Sequence, residues 1–212
     1  MAADVDVSNM ALAHLAAGKI TALADTTPQG RYCSMFYDAA LELMLTDGVW
    51  RFNKITDDLV LNGTGEGQDG WIYVYDYPTD CLRIVRICVP NDTFTSVARY
   101  GSLDDMSYVR SQLPKLPYSR EGDLIYTDVE DARIEYIQLT TADSMSATAQ
   151  LALSYLLASF IAVPILGTEK GEKEKKHMLE LYSGVTTILS SKNSADEYEA
   201  PRESEFVTAL RN

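Results

Sequence analysis

The stretch SMSATAQLALSYLLASFIAVPIL, residues 144–166, decides the fold of this chain. Read as a helix, it is apolar on nearly every side. A helix that is apolar all round must be covered from several directions. We therefore predict that it forms the centre of a helix bundle or is buried between subunits. The large side chains that cannot share one narrow stripe are Leu151, Leu153, Tyr155, Leu156, Leu157, Phe160, Ile161 and Val163.

A membrane span is the alternative reading of this stretch, and its length argues against it. The apolar part, from Leu151 to Leu166, is shorter than the roughly 20 residues that cross a bilayer, and it contains two serines. Proline cannot continue the hydrogen-bond ladder of a helix, and glycine suits the position after a helix end. We expect the helix to end at Pro164 and Gly167.

The composition is that of an acidic globular protein. The chain has 212 residues, 46% of them hydrophobic, which is enough for a substantial core. The formal net charge of −13 argues against gripping nucleic acid, which needs lysine and arginine, and against attraction to an anionic membrane. An acidic wall beside DNA would instead repel the phosphate backbone and let a strand slide past.

The cysteines and the N-terminus indicate the compartment. Cys33, Cys81 and Cys88 are odd in number and lack CxxC spacing. We therefore expect no disulfide framework, and we expect the protein to fold in a reducing compartment. The first ten residues, MAADVDVSNM, carry neither the basic nor the apolar region of a secretory signal.

Helical patterns occupy both ends of the chain. Ser8 is expected to cap a first short helix, after a loose lead-in over residues 1–7. A charged C-terminal helix is expected to start at Thr168 and to carry an apolar stripe as far as Leu189. Thr27 is expected to cap a second helix, and the apolar stripe of that helix comprises Tyr32, Phe36, Ala39 and Leu43.

The middle of the chain is rich in β-branched and aromatic residues, which favour strands. The glycine-rich loop NGTGEGQDG, residues 62–70, separates the first two strands, and residues 90–120 are expected to be irregular. The predicted strands are residues 50–61, 71–77, 81–89, 124–127 and 132–139.

The sequence therefore predicts an α+β fold, a helix bundle with an insertion. Residues 1–48 and 141–190 supply the N- and C-terminal helices of the bundle, and residues 49–140 form a mostly antiparallel β region. Residues 191–212 are polar and acidic with sparse apolar residues, and are expected to form an extended tail that orders on a partner.

No stretch has the spacing of a catalytic or cofactor site. The glycine-rich loop lacks the lysine of a P-loop, and Glu66 and Asp69 would repel phosphate. His14 and His177 lie on different helices without metal-ligand spacing, so structural roles are expected for both. Cys33 is expected to be a small core residue. We therefore predict a protein that is not an enzyme and that uses no metal or cofactor.

Two other classes of function stay open. A small hydrolase using carboxylates of the β region would have a pocket that contains acids of raised pKa. A monomeric binding or assembly module would never form a ring. The oligomeric state separates such a module from a ring-forming structural protein.

The order of these parts resembles the head-to-tail adaptor proteins of tailed bacteriophages, in particular the tail tubular protein A type of short-tailed phages. That family shows a short helix, a gly-x-ile step, and a second helix that runs into Trp-x-Phe. It also has an alanine-rich helix that ends at a proline, and then a helix with a tyrosine. Residues 62–122 carry no match. The matching blocks are ALAHLAAGKITALAD (11–25), YCSMFYDAALELMLTDGVWRF (32–52), ALSYLLASFIAVPIL (152–166) and LELYSGV (179–185).

The resemblance implies a structural subunit of a ring, usually a dodecameric one, seated beneath the portal protein of the capsid. Such a ring extends the DNA channel, lets DNA pass during ejection without specific binding, and receives the tail nozzle protein. The protein would assemble in the host cytoplasm and reside in the virion at the head-tail interface, with no membrane and no cofactor.

The resemblance also suggests roles for particular residues. Portal docking by the C-terminal tail is expected to use Tyr198, Pro201, Phe206, Val207 and Leu210. A nozzle-facing loop is expected to use Gly63, Gly65, Gly67 and Asp69. Packing in the bundle or between subunits is expected to use Trp50, Tyr155, Phe160 and Tyr182.

Overall fold

The computed structural model describes residues 2–64, 70–89 and 116–196. Helices at both ends of the chain flank two antiparallel sheets, so the predicted α+β class is confirmed. The helices are α1 (Ala2–His14), α2 (Pro28–Asp47), α3 (Ala147–Leu166) and α4 (Thr168–Asp196), with a 3-10 turn at Ala142–Ser144 before α3. The strands are β1 (Lys54–Asp58), β2 (Leu61–Thr64), β3 (Tyr73–Asp76), β4 (Cys81–Cys88), β5 (Tyr118–Glu121), β6 (Leu124–Thr127) and β7 (Arg133–Gln138).

Helix α3 is the centre of the bundle and packs against α1, α2 and α4. Its leucines and isoleucine on several faces are almost fully buried. Ser146 caps its N-terminus by accepting a hydrogen bond from the Ala149 N–H. The two buried serines are satisfied within the helix, because Ser154 and Ser159 each donate to a backbone carbonyl three residues earlier.

Burial accounts for the apolar character of α3. Among the described residues it is the one helix that is long and apolar enough to cross a membrane by length and composition. Of its most apolar window, 56% is buried inside the fold. The core helix of a soluble bundle passes the same test, since it too must be apolar on all sides.

The end of α3 differs from the prediction at one residue. Pro164 does not stop the helix, which continues to Leu166. Proline so close to the C-terminus removes only one ladder hydrogen bond, so the last turn tolerates it. Gly167 does end the helix, with φ +80°, and its N–H donates to the Val163 carbonyl.

The expected loose lead-in and the cap at Ser8 are wrong. Helix α1 already begins at Ala2, and Ser8 lies inside it, where its hydroxyl donates to the Asp4 carbonyl at 2.8 Å. Val7 and Leu12 are fully buried against the rest of the bundle. Tertiary packing therefore extends the helix beyond the point that the capping pattern indicated.

Helix α2 begins as predicted but buries a different face. Thr27 accepts a hydrogen bond from the Gly30 N–H at 3.2 Å, with Pro28 in the first turn. In the predicted stripe, Ala39 and Leu43 are exposed, whereas Tyr32 and Phe36 are half-buried. The buried face comprises Gly30, Cys33, Tyr37, Ala40, Leu41, Met44 and Leu45. Two apolar stripes lie side by side on this helix, and the pattern alone does not show which one is covered.

The predicted antiparallel β region is divided, within its described residues, into two sheets. The first has the strand order β1-β7-β4 and the second β2-β3-β6-β5, all antiparallel. The predicted strand over residues 50–61 is confirmed only for β1, because Trp50 turns back onto α2 and β2 starts as a separate strand at Leu61. Strand β5 lies in the segment that was expected to be irregular. The two sheets share a core that includes Tyr75, Ile125 and Ile134.

Candidate interaction site

Trp50 fixes the junction between the bundle and the β region. Its indole N–H donates to the Met44 carbonyl at 2.8 Å, and the side chain is buried. Gly48 makes this possible, because a Cβ there would lie 2.4 Å from the indole ring. Arg83 of β4 donates to the Gly48 carbonyl at 3.0 Å. Arg83 therefore attaches the first sheet to the end of α2, and Trp50 holds the chain that follows α2 against the same helix.

The two ends of the β insertion lie next to each other. Lys54 of β1 is paired with Ile137 of β7, and the Gln138 N–H donates to the Asn53 carbonyl at 2.8 Å. The chain therefore leaves the bundle and returns to it through neighbouring segments. The Asn53 side chain is buried here, and neither its amide nitrogen nor its oxygen has a hydrogen-bond partner in the described residues.

Tyr155 packs inside the bundle against the end of α1. Its ring stacks on the imidazole of His14, with 4.4 Å between centroids. His14 Nε2 lies 3.1 Å from the Ser154 hydroxyl, which already donates to the Leu151 carbonyl. When the Ser154 hydroxyl donates to Leu151, its hydrogen bond to His14 has Nε2 as the donor, which corresponds to the neutral tautomer protonated at Nε2. Burial lowers the pKa of His14.

Phe160 and Tyr182 connect helices elsewhere in the bundle. The rings of Phe160 and Phe36 lie 6.1 Å apart in a tilted arrangement. The Tyr182 hydroxyl donates to Asp47 Oδ2 at 2.8 Å. Burial, followed by the hydrogen bond to Asp47 and its negative charge, raises the pKa of Tyr182. Trp50, Tyr155, Phe160 and Tyr182 thus all make contacts within the bundle.

The gly-x-ile step is held by a residue that the sequence patterns did not single out. Asn9 accepts from the Ile20 N–H at 2.9 Å and donates from Nδ2 to the Ile20 carbonyl at 3.0 Å. Both backbone groups of Ile20 are therefore satisfied, and its side chain is buried. Asn9 lies eleven positions earlier on α1, so local capping and turn patterns offered no signal for this clamp.

A buried carboxylate lies at the centre of the first sheet. Glu135 of β7 is within 3.3 Å of Lys54 Nζ on β1, and 2.7 Å of an Arg86 guanidinium nitrogen on β4. Burial alone would raise the pKa of Glu135, but the hydrogen bonds and charges of Arg86 and Lys54 outweigh it and lower the pKa. The pKa of Asp25 is also lowered, chiefly by the Thr21 N–H. Neither carboxyl has the raised pKa that the hydrolase alternative requires.

Other chemically capable groups are dispersed. No group of three or more potential metal ligands occurs among the described residues. Cys33 is fully buried, as predicted, and burial raises the pKa of its thiol to about 11. His177 is exposed on α4. An open cleft of about 430 Å³ at the α3–α4 turn is lined by Leu166, Gly167, Thr168, Glu169, Lys170 and Lys173.

The hypothesised docking residues lie mostly outside the part of the chain that is described. Gly63 is in β2, beside a register shift opposite β3. Residues 197–212 fall outside, and so do the tail residues Tyr198, Pro201, Phe206, Val207 and Leu210 and the loop residues Gly65, Gly67 and Asp69. The expected tail begins later than residue 191, because α4 continues to Asp196.

Comparison with protein-family models and with curated proteins gives no match. The described residues therefore offer three things from which a function can be inferred. These are the bundle built from both chain ends, the junction at Trp50, and the surfaces of α2 and α4.

Proposed function

We propose that this chain is a structural head-to-tail connector subunit of a tailed phage. Copies would form a ring beneath the portal, extend the DNA channel and hold the tail nozzle. The observation that carries the proposal is the joining of both chain ends in one bundle around α3. The β region is inserted through adjacent segments at Asn53 and Gln138, which is the arrangement that the resemblance to adaptors implies.

The residues that carry the resemblance make structural contacts in this fold. The Trp50 indole donates a hydrogen bond to the last turns of α2, and the Asn9 side chain on α1 bonds both backbone groups of Ile20. Tyr155 of the alanine-rich helix stacks on His14, and the Tyr182 hydroxyl of the next helix donates a hydrogen bond to Asp47. These contacts are spread over the whole bundle, as expected for a structural subunit.

The charge of the chain suits a channel component. Each copy contributes a formal net charge of −13. Repeated around a ring, this charge would repel the DNA phosphates and favour passage over binding. A basic lining would hold DNA in a salt-dependent manner instead.

The composition of the residues that follow α4 suits docking to a second ring. Helix α4 has 29 residues, about 43 Å of helix, and its C-terminal end lies beside the start of α3, where Lys192 donates to Thr148. The described part of the chain therefore ends near the start of α3, at one end of the bundle. The apolar residues of 197–212, separated by polar ones, suit a segment that orders on a portal.

Mass photometry tests the proposal directly. The protein is measured alone, then mixed with a candidate portal ring. We expect a discrete, saturating complex with many copies per portal, and loss of that complex after truncation of residues 197–212. An exposed substitution such as Thr187→Ala should leave the complex intact. A protein that stays monomeric beside the portal, or adds only one copy, would contradict the adaptor function and favour the assembly module.

A further inference from the structure

The outer surface of α2 carries an apolar strip that no described element covers. Met35, Ala39 and Leu43 follow one another at four-residue spacing, so they lie in one row. Met35 is 67% exposed and Leu43 49%. Half-buried Tyr32 and Phe36 widen the row toward the core. These five residues, termed here the α2 strip, form a contiguous apolar surface, and such surfaces mark interaction sites more often than single exposed side chains do.

Acidic residues border the α2 strip. Asp38 and Glu42 are exposed on the same side of the helix, and neither has an ion-pair partner among the described residues. Arg31, two turns before Asp38, is the cation of this face. A partner for the strip must therefore bring apolar surface together with cations at the positions of these two carboxylates.

The first turns of α4 present such a surface. Lys170, Lys173, Lys176 and Leu179 recur every three residues, so they lie along one ridge of the helix. All four are exposed, and within the described ranges none of the three lysines has a carboxylate at ion-pair distance. Lysine stems also cover apolar surface while the ammonium group stays solvated. Three exposed acids also border the ridge, because Glu169 lies four residues before Lys173, and Glu172 and Glu180 lie four residues on either side of Lys176. Complementarity to the α2 strip therefore depends on where the charges lie rather than on net charge.

We propose that the α2 strip of one copy docks on the α4 ridge of a second copy. This inference rests on the proposed ring and names the contact between its neighbouring subunits. Because the two faces differ, each copy keeps one strip and one ridge available, and such heterologous contacts can close into a ring. Pairing of two α2 strips would bring Asp38 and Glu42 against the same acids, which is unfavourable.

Disulfide trapping between two different variants tests the contact. Ala39→Cys is placed in one sample and Lys176→Cys in another, both with Cys88→Ser to remove the least buried native thiol. Under mild oxidation we expect the mixture to form dimers and each sample alone to form few. The double variant Ala39→Cys/Lys176→Cys should give a ladder of higher oligomers. Circular dichroism checks that each exposed substitution leaves the fold intact.

Charge reversal supplies the matched control. Adding Asp38→Lys and Glu42→Lys to the strip sample should slow trapping about tenfold, as expected when attraction becomes repulsion at exposed pairs. Adding Lys173→Glu and Lys170→Glu to the ridge sample should restore it. Equal trapping in all combinations, or none in the mixture, would overturn the proposal.

The outcomes separate this inference from the proposed function. Strip-to-ridge trapping without any portal complex would support the contact and contradict the adaptor. A portal complex without trapping would leave the adaptor supported and overturn this contact. Trapping that requires deletion of residues 197–212 would assign the strip to the chain's own tail and would also overturn the proposal.

Discussion

Tyr182 on α4 donates a hydrogen bond to Asp47, the last residue of α2, across 135 positions of sequence. The distance from Oη to Oδ2 is 2.8 Å. We expect Tyr182→Phe to lower the free energy of unfolding by about 1 kcal/mol, the usual net value of one hydrogen bond. Tyr155→Phe keeps its stacking on His14 and should be near neutral. Urea unfolding measures both, and equal losses in the two variants would contradict this role of Asp47.

Gly171 brings α3 and α4 unusually close after their turn. A Cβ at this position would lie 2.5 Å from Val163 Cα and 2.8 Å from the Ala162 carbonyl oxygen. Backbone atoms cannot give way as a side chain can, so we expect Gly171→Ala to destabilise the protein by about 1–3 kcal/mol. Gly184 lies on the same helix with no atom within 4 Å of its ideal Cβ, and Gly184→Ala should stabilise by up to about 1 kcal/mol. Thermal denaturation of the pair should show opposite shifts, and shifts of the same sign would refute the packing argument.

Local patterns predicted the parts of this fold that local physics controls. The cap at Thr27, the glycine end of α3 and the burial of α3 follow from hydrogen bonding and hydrophobicity within a short stretch. The covered face of α2 was not predictable, because two adjacent stripes have similar composition. The buried Tyr37 accordingly lies just beside the predicted residue Phe36.

Long-range contacts explain the other differences. The division of the β region into two sheets depends on which strand β7 joins, and its partners β1 and β4 lie far away in sequence. The clamp between Asn9 and Ile20, and the carboxylate of Glu135 between two cations, likewise arise only in the folded chain. The portal and nozzle contacts stay predictions, since they concern partners and segments outside the described residues.

The environment of His14 predicts a pH dependence of stability. Burial lowers its pKa below the unfolded value of 6.5, so the folded state binds the proton less readily. Stability is then fully present above about pH 6.5 and falls as the pH decreases from there toward the lower folded pKa. Glutamine in the variant His14→Gln can keep a hydrogen-bond donor for Ser154 but does not titrate. The part of the slope of unfolding free energy against pH that comes from His14 should therefore disappear. Unfolding midpoints between pH 7.5 and about 5.5 measure it, and an unchanged slope in the variant would assign the effect to another group.

The central carboxylate of the first sheet should contribute more than an exposed ion pair. Glu135 is 6% exposed and lies between Lys54 and Arg86, so Glu135→Gln leaves two partly buried cations without their counter-charge. We expect a loss of about 1–3 kcal/mol, less than for a fully buried pair because both cations still reach solvent. Asp58, whose side chain is 80% exposed beside Arg133, is the control, and Asp58→Asn should cost at most about 0.5 kcal/mol. The lowered pKa of Glu135 also predicts a pH dependence. The ionised carboxylate stabilises the folded state above the unfolded pKa of 4.5, and this stabilisation is lost as the pH falls through the lower folded pKa. Urea unfolding at pH 7 and near pH 4 measures the free energy lost in each variant. The loss in Glu135→Gln should exceed the loss in Asp58→Asn at pH 7 and approach it near pH 4. An excess that does not change with pH would exclude the charge of Glu135 as its cause.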